Sequence, residues 1–398
     1  MEFKNIANFK FVKALQKQGG EVFLVGGIVR DSFLGIKSKD IDLVVRNLDI
    51  HKIMSTLQSF GKLTETTVAD KMGILKFVPT GIELDEEIDI ALPRTERLMT
   101  DEEIKAEGIT NAHNAFMVNS DPTLPIEKDL ERRDFTINSM AINLTDMSLI
   151  DPFGGGSDIL DKVIKHTNDQ AFSDDPLRMF RAVQFASRFE GFDIHDDTMD
   201  LIQKNADSAK TISGERVHAE LLKIFNKGSI HKGIHMLVKS KLHAKLFPGV
   251  MMNNDPIVTM ADFFFEICGH SANFKNVLKG DTATAKGIDA INKANSDMLL
   301  HEFDMTMTKV TLFNAMKTST DVLDSGKLIW SLKQAQDEFK SGKFPKNMAH
   351  LDLCGGDLKD AGVKPGTGMG EMLTAAVTMV MGGVPNDKDT LLKALMDG

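Results

Sequence analysis

Apolar and polar positions in the first 150 residues change period every few positions, and the changes mark out short elements. Residues 8–17 carry apolar side chains at helical spacing. Glu21-Val-Phe-Leu-Val25 is a run of strand length, Gly26-Gly27 breaks it, and residues 28–34 predict a helix closed by Gly35. Residues 40–45, 73–78 and 87–92 predict three further strands, the last stopped by Pro93. Residues 96–128 are polar and predicted to be irregular; a loop of that length inside a compact domain is usually functional or mobile. Apolar residues return over 135–143, and the turn cluster Asp151-Pro-Phe-Gly-Gly-Gly156 predicts the end of a domain.

From residue 158 onward the strand signals fade. Residues 175–189, 196–204 and 215–226 show apolar side chains at i, i+3, i+4 spacing, so a helical region begins here. Residues 250–340 read as helical but poor in motifs, with 275–295 too polar to place, and residues 352–398 predict two helices among Gly-rich turns. The pattern therefore predicts an α/β head followed by an all-α remainder.

Composition narrows the class. At 398 residues, 42% hydrophobic and 26% charged, the chain has the profile of a soluble globular protein of two or three domains. Cys268 and Cys354 are too few for a disulfide scaffold or a cysteine-rich zinc module. The first residues carry scattered charges rather than a secretory pattern, and no apolar run reaches membrane-spanning length. Residues 372–380, broken by Thr374 and Thr378, predict a buried helix, and the expected location is cytoplasmic. A net charge of −10 argues against indiscriminate coating of polyanions. Residues 203–250 are the local exception, with eight Lys and Arg216 against Asp207, Glu215 and Glu220. On helices, that is either a phosphate-tracking surface or a solvated face. Tyrosine is absent, so base stacking would fall to Phe, His, Arg or Trp330. His195-Asp196 lacks further ligands at metal-site spacing and predicts a helix cap. Cys268 and His270 are expected in core and surface respectively.

The candidate chemistry starts at Val25-Gly-Gly-Ile-Val-Arg-Asp31. Gly26 and Gly27, between a strand and a helix, free backbone N–H groups for a phosphate, and Arg30 can add a guanidinium to the same anion. Asp40 and Asp42, two apart on a predicted strand, point to one face. Their mutual repulsion suits Mg²⁺, a hard cation that takes its remaining ligands from phosphate oxygens. Asp89 can supply a third carboxylate, although its acidic neighbourhood fits a solvated face equally well.

Residues 24–45, LVGGIVRDSFLGIKSKDIDLVV, resemble the first motif of the class II tRNA nucleotidyltransferases (CCA-adding enzymes) and the related bacterial poly(A) polymerases. Four further motifs follow in the family's order. Arg132-Arg-Asp-Phe-Thr-Ile-Asn138 resembles the second, which contacts ribose and phosphates. Asp151-Pro-Phe-Gly-Gly resembles the head–neck hinge. Ser173-Asp-Asp-Pro-Leu-Arg-Met-Phe-Arg181 resembles the base-reading motif, and Ser213-Gly-Glu-Arg-Val-His-Ala-Glu220 the brace of the neck helices. Near the end, Gly356 to Gly362, Lys364-Pro-Gly366, Gly370 and Val384-Pro-Asn386 are similar to the tail of bacterial CCA-adding enzymes, the nearest branch.

The resemblance implies a polymerase-beta-like nucleotidyltransferase head with a small mixed sheet over residues 1–155. A base-recognition neck over 156–226, a body over 227–340 and a tail over 341–398 would follow, the last two binding RNA. It implies Asp40 and Asp42 as catalytic residues holding two Mg²⁺ ions; Asp89 stays a candidate third metal ligand on the residue pattern alone. The implied nucleotide-binding residues are Gly26, Gly27, Arg30, Arg133, Asp134, Asn138, Asp175, Arg178 and Arg181. Asp175 and Arg178, expected at i and i+3 on one helix face, would select bases by hydrogen-bond polarity. A carboxylate only accepts and a guanidinium only donates, so the pair matches the amino donor and ring-nitrogen acceptor of C or A and rejects G and U. Two positions depart from the family: a shorter Asp174 stands for a glutamate, and Gln184 for an arginine. The implied activity is untemplated addition of C, C and A to the tRNA 3′ end from CTP and ATP, with no membrane or DNA partner. Partial CC or A addition, poly(A) synthesis and a non-catalytic relic are the alternatives. The polar segment 97–128 matches in position the flexible loop associated with terminal A addition.

Overall fold

The structure, a computed structural model, describes residues 3–65, 74–100, 103, 116–252, 256–299, 305–328 and 330–397. It divides into two compact units, Met1–Lys245 and Leu246–Gly398.

The first unit is built on a seven-stranded mixed sheet. In chain order its strands are β1 (Glu21–Val25), β2 (Ile41–Arg46), β3 (Gly61–Glu65), β4 (Ile74–Pro79), β5 (Ile88–Ala91), β8 (Ala141–Asn143) and β9 (Leu149–Ile150), arranged β3-β4-β5-β2-β1-β8-β9. Strand β2 runs parallel to β5 and antiparallel to β1. The apolar runs of β1 and β2 make them central: Val22, Phe23, Leu24 and Val25 are all buried, as are Leu43, Val44 and Val45. Helix α1 (Lys10–Lys17) buries Phe11, Val12 and Leu15, and the Phe11 ring meets Phe77 of β4 edge-on at 5.1 Å. Helix α2 (Gly27–Phe33) follows the Gly-Gly break, and α3 (Ile50–Gln58) is capped by Asp49, which accepts from the Lys52 N–H.

The 96–128 segment is not irregular throughout. Strands β6 (Arg94–Leu98) and β7 (Phe116–Ser120) pair as a hairpin, and α4 (Ile126–Glu131) follows. Charge disguised the hairpin: Glu96 bonds Arg94 and Arg132, so its strand is stabilised by ion pairs rather than apolar alternation. Residues 101–102 and 104–115 of that segment, like Gly73 of the expected third strand, lie outside the described residues.

Past a short helix, α5 (Gly155–Leu160), a two-stranded pairing of β10 (Val163–Ile164) with β11 (Asp193–Ile194) interrupts the otherwise helical neck. Helix α6 (Leu177–Arg188) packs on α8 (Gly214–Lys227) and α9 (Ile230–Lys239), with α7 (Asp196–Asn205) nearby in sequence. Helices α8 and α9 approach so closely that a Cβ on Gly233 would stand 2.4 Å from Ile224 Cγ2. His195 does cap α7, its Nδ1 accepting from the Asp197 N–H.

The second unit is helical among the described residues: α10 (Met260–Cys268), α11 (Ser271–Leu278), α12 (Thr282–Leu299), α13 (Met305–Met316), α14 (Trp330–Lys340), α15 (Thr367–Met381) and α16 (Lys388–Asp397). The polar 275–295 stretch is helix from Thr282 onward, held by a narrow buried stripe of Ala285, Ile288, Ala290, Ile291 and Ala294, after a break at 279–281. A capping box joins Thr259 and Asp262, and Asp262 also accepts from Ser325 and Gly326 in the interior. Cys268 is buried and His270 exposed, as expected. The side chain of Trp330 lies outside the described set. No helix among the described residues is long and apolar enough to cross a membrane.

Candidate nucleotide and metal site

The sheet delivers its acidic residues by register. Asp42 on β2 stands directly opposite Asp89 on β5, and Asp89 opposite Lys76 on β4. Asp40 lies one residue before β2 begins rather than on the strand, at the end of the irregular connection over residues 36–40. It still shares a pocket with Asp42, Asp89, Lys76, Glu86 and Glu87. Burial pushes the Asp42 carboxyl up to about 6, against the pull of Arg133 and with the help of the Asp89 and Asp40 charges. A hydrogen bond with Asp40 holds Glu86 above the ordinary carboxylate range. One Asp89 oxygen, Oδ1, is buried without a hydrogen bond, although Lys76 Nζ lies 3.3 Å away. A carboxylate resisting ionisation beside an unsatisfied carboxylate oxygen is a site short of positive charge, and the donor set fits a divalent cation. No preformed cluster of three His, Cys, Asp or Glu ligands occurs among the described residues, so these carboxylates do not converge as they stand.

Gly26 separates β1 from α2 at φ +74° and ψ −135°, a region open only to glycine. A Cβ there would lie 3.0 Å from Arg133 Nη1 and 3.4 Å from Asp42 Oδ2. The loop backbone therefore passes between the carboxylate and the guanidinium. Arg133 and Arg132 both bond Asp129, which is fully buried; burial opposes its charge, but Arg133 and Arg132 hold its carboxyl below the ordinary range. Arg133 Nε is itself buried and unpartnered.

Arg30 departs from the expected role of reaching a phosphate. It is 6% exposed, with Nε and Nη2 on Asp31, Nη1 on Asn138, and its guanidinium over the Phe185 and Phe189 rings. Its partners explain this: Asp31 and Asn138 hold the guanidinium in the wall it helps to build. Asp134 and Asn138 are similarly committed. Asp134 Oδ1 accepts from the Phe135 N–H and from Asn138, and Oδ2 from Arg181. Burial works against the Asp134 charge, but Arg181 and Asn138 hold its carboxyl below the ordinary range.

Asp175 and Arg178 do not share a helix face. Asp175 precedes α6 in an extended conformation, because the following Pro176 bars it from helical geometry, and its carboxylate accepts from the Leu177 N–H. Arg216 Nη2 reaches both Asp175 oxygens at 3.0 and 3.2 Å. Arg178 donates to the main-chain carbonyls of Ala171 and Arg132. The two side chains nonetheless line one cavity of about 540 Å³ with Gly26, Gly27, Asp40, Asp42, Arg133 and Arg181. Arg188, Arg216, Lys223 and Lys227 line it as well and were not among the expected site residues. The last three recur at i, i+7 and i+11 on α8, a helical-face signal present in the basic 203–250 segment. Gln184, 2% exposed, lines the same cavity with Nε2 unpartnered. Asp174 ends the turn Ala171–Asp174, and burial raises its carboxyl.

Residues 22–165 match the poly A polymerase head domain, and residues 191–252 the probable RNA and SrmB-binding site of polymerase A. The multifunctional CCA protein of Haemophilus ducreyi is 32% identical over 234 residues, 58% of this chain and 51% of that protein. Over its head and part of its neck the chain is thus similar to poly(A) polymerases and CCA-adding enzymes. It spans about half the length of that curated relative. Solved CCA-adding enzymes share its fold. An apo CCA-adding enzyme matches with TM-score 0.75 and 23% identity over 99% of this chain and 95% of the other. The Thermotoga maritima CCA-adding enzyme complexed with tRNA matches with TM-score 0.70 and 24% identity over 99% and 94%.

Proposed function

We propose that this chain is a tRNA nucleotidyltransferase that adds C, C and A to the tRNA 3′ end from CTP and ATP without a nucleic-acid template. The observation that carries the reading is the single cavity in which the glycine loop, Asp40 and Asp42, Arg133, and Asp175 with Arg178 meet. The names of the relatives support it: a CCA protein in sequence, and a CCA-adding enzyme complexed with tRNA in fold.

Asp40 and Asp42 would hold magnesium, two ions in this reading, whose bound charge acidifies the RNA 3′-hydroxyl and neutralises the triphosphate and departing pyrophosphate. The remaining work falls to positioning, as in phosphoryl transfer generally. The Gly26-Gly27 backbone lets the triphosphate approach, and Arg133, already anchored by Asp129, meets it beside Asp42. Asp134, Asn138, Arg30 and Arg181 act by bracing this wall rather than by free contact. Asp175 presents acceptors and Arg178 donors to the base edge; Arg216 takes part of the Asp175 lone-pair capacity, and two of the five Arg178 N–H groups are fixed on carbonyls, which sets its plane. Residues 1–155 form the catalytic head in this reading, 156–226 the neck, and 227–340 and 341–398 an RNA-binding body and tail in a cytoplasmic enzyme. The 191–252 match to a probable RNA-binding site and the local positive charge of 203–250 support RNA contact there.

The test uses tRNAs ending without CCA, in C or in CC, with single labelled nucleotides and Mg²⁺. CMP should enter the first two and AMP the third. Addition of C alone or A alone would make it a partial enzyme, long A-tails a poly(A) polymerase, and no incorporation at all would remove the enzymatic reading.

A further inference from the structure

The three-strand row Asp42, Asp89 and Lys76 contains a feature the metal reading does not use. The residues are direct cross-strand partners on β2, β5 and β4, so their side chains stand side by side on one sheet face. Lys76 puts its ammonium 3.3 Å from Asp89 Oδ1, yet that buried oxygen receives no hydrogen bond. The contact is charge without alignment. Its partners are 40% and 43% exposed, so it is weak and readily exchanged. The same ammonium lines the pocket of Asp40, Asp42, Glu86 and Glu87.

We propose that Lys76 is a resident counter-cation of the metal site, occupying Asp89 and keeping it from coordination until a divalent ion displaces the ammonium. This rests on the reading of Asp40 and Asp42 as metal ligands. It accounts for two observations together: Asp89 is positioned opposite Asp42, and no three-ligand cluster is preformed among the described residues. A divalent ion carries twice the charge of the ammonium and accepts the unbonded Asp89 lone pair directly. Lys76 would then swing to solvent, to which its half-exposed stem already leads. Lys76 thereby sets metal affinity and makes the site fill late. It is a positioning residue that touches neither base nor RNA.

The experiment titrates Mn²⁺ into the full chain and counts bound ions by the electron paramagnetic resonance of free Mn²⁺, with no turnover involved. Lys76→Met should bind Mn²⁺ about tenfold more tightly than the wild type, as expected from removing one like charge a few ångströms away. Lys76→Gln should match it and Lys76→Arg should stay near the wild type. Asp89→Asn should change the wild-type affinity little, but should erase the gain in the Lys76→Met background. Unchanged or weaker binding in both Lys76→Met and Lys76→Gln would overturn the proposal. So would a gain that persists with Asp89→Asn, which would mark a general field effect. Failure of the wild type and of Lys76→Met to bind Mn²⁺, even with CTP, would instead remove the metal reading and this inference with it.

Discussion

Arg181 closes on Asp134 with two N–H groups, Nε and Nη2, each 2.8 Å from Oδ2. The pair joins a neck helix to the motif that follows α4, and the Phe185 ring beneath carries both Arg181 and Arg30, each 5.3 Å from its centroid. Asp134 is almost wholly buried, so removing its partner would strand a charge. Arg181→Ala is expected to destabilise the protein by about 3–5 kcal/mol in urea unfolding. Adding Asp134→Asn should recover part of that loss, because no charge is then left unpaired. The folded carboxyl lies below its ordinary range, so the stability it contributes is complete above pH 4 and lost on further acidification. The wild-type advantage over Asp134→Asn should shrink accordingly as the pH falls.

Asp42 carries the opposite sign. Its folded carboxyl is pushed up to about 6 from an ordinary 3.8, so the folded state holds the proton more tightly than the unfolded chain. Stability therefore falls as pH rises between those values, by about 3 kcal/mol in all. In chelator-treated protein, Asp42→Asn should be more stable than the wild type at pH 8 and indistinguishable from it near pH 3. Incorporation should be abolished in the same variant. Thermal unfolding across pH, with and without Mg²⁺, checks both arms: Mg²⁺ should stabilise the wild type and leave Asp42→Asn unmoved.

Gly26 ties backbone conformation to catalysis. At φ +74° and ψ −135° a side chain costs about 1–3 kcal/mol. The new methyl would also stand 3.0 Å from Arg133 Nη1, which must then give by a few tenths of an ångström beside Asp42. Gly26→Ala should lower kcat/KM for nucleotide addition by well over tenfold, a larger effect than the strain alone produces on stability. Steady-state kinetics beside a urea midpoint for the same sample separates the two.

The strand–loop–helix around Gly26 was legible because each element announces its own boundary: an apolar run, two glycines, then a closing Gly35. The β6–β7 hairpin was not, because Glu96 is satisfied by charge, from Arg94 and from the sequence-distant Arg132, rather than by apolar alternation. Helix α12 escaped for a different reason. Its buried stripe is largely alanine, which adds little to a hydrophobicity pattern yet packs closely. Asp175 is the instructive miss. Pro176 signals in the sequence that the preceding residue is extended, and the i, i+3 spacing to Arg178 overrode that signal. Arg216 was legible only as part of the basic 203–250 segment and the brace motif, with nothing to tie it to Asp175.

Arg216 supplies the last prediction. Its Nη2 spans both Asp175 oxygens, and this contact, together with the Leu177 N–H, fixes where the carboxylate stands. Arg178 is fixed separately by two carbonyls, so the spacing of acceptor and donor along a base edge depends on Arg216. Arg216→Ala should leave the Asp175 carboxylate freer to turn. Addition of C and A should then weaken, while misincorporation of U or G rises by about tenfold relative to the correct base, the scale of one hydrogen bond lost from discrimination. Arg178→Ala removes the donor itself and should lower C and A addition further without a comparable gain for U or G, since the carboxylate still repels their carbonyl edge. Competition assays with paired labelled nucleotides on a tRNA ending in CC read both ratios. An unchanged base preference in Arg216→Ala would mean that Asp175 is positioned by its backbone alone.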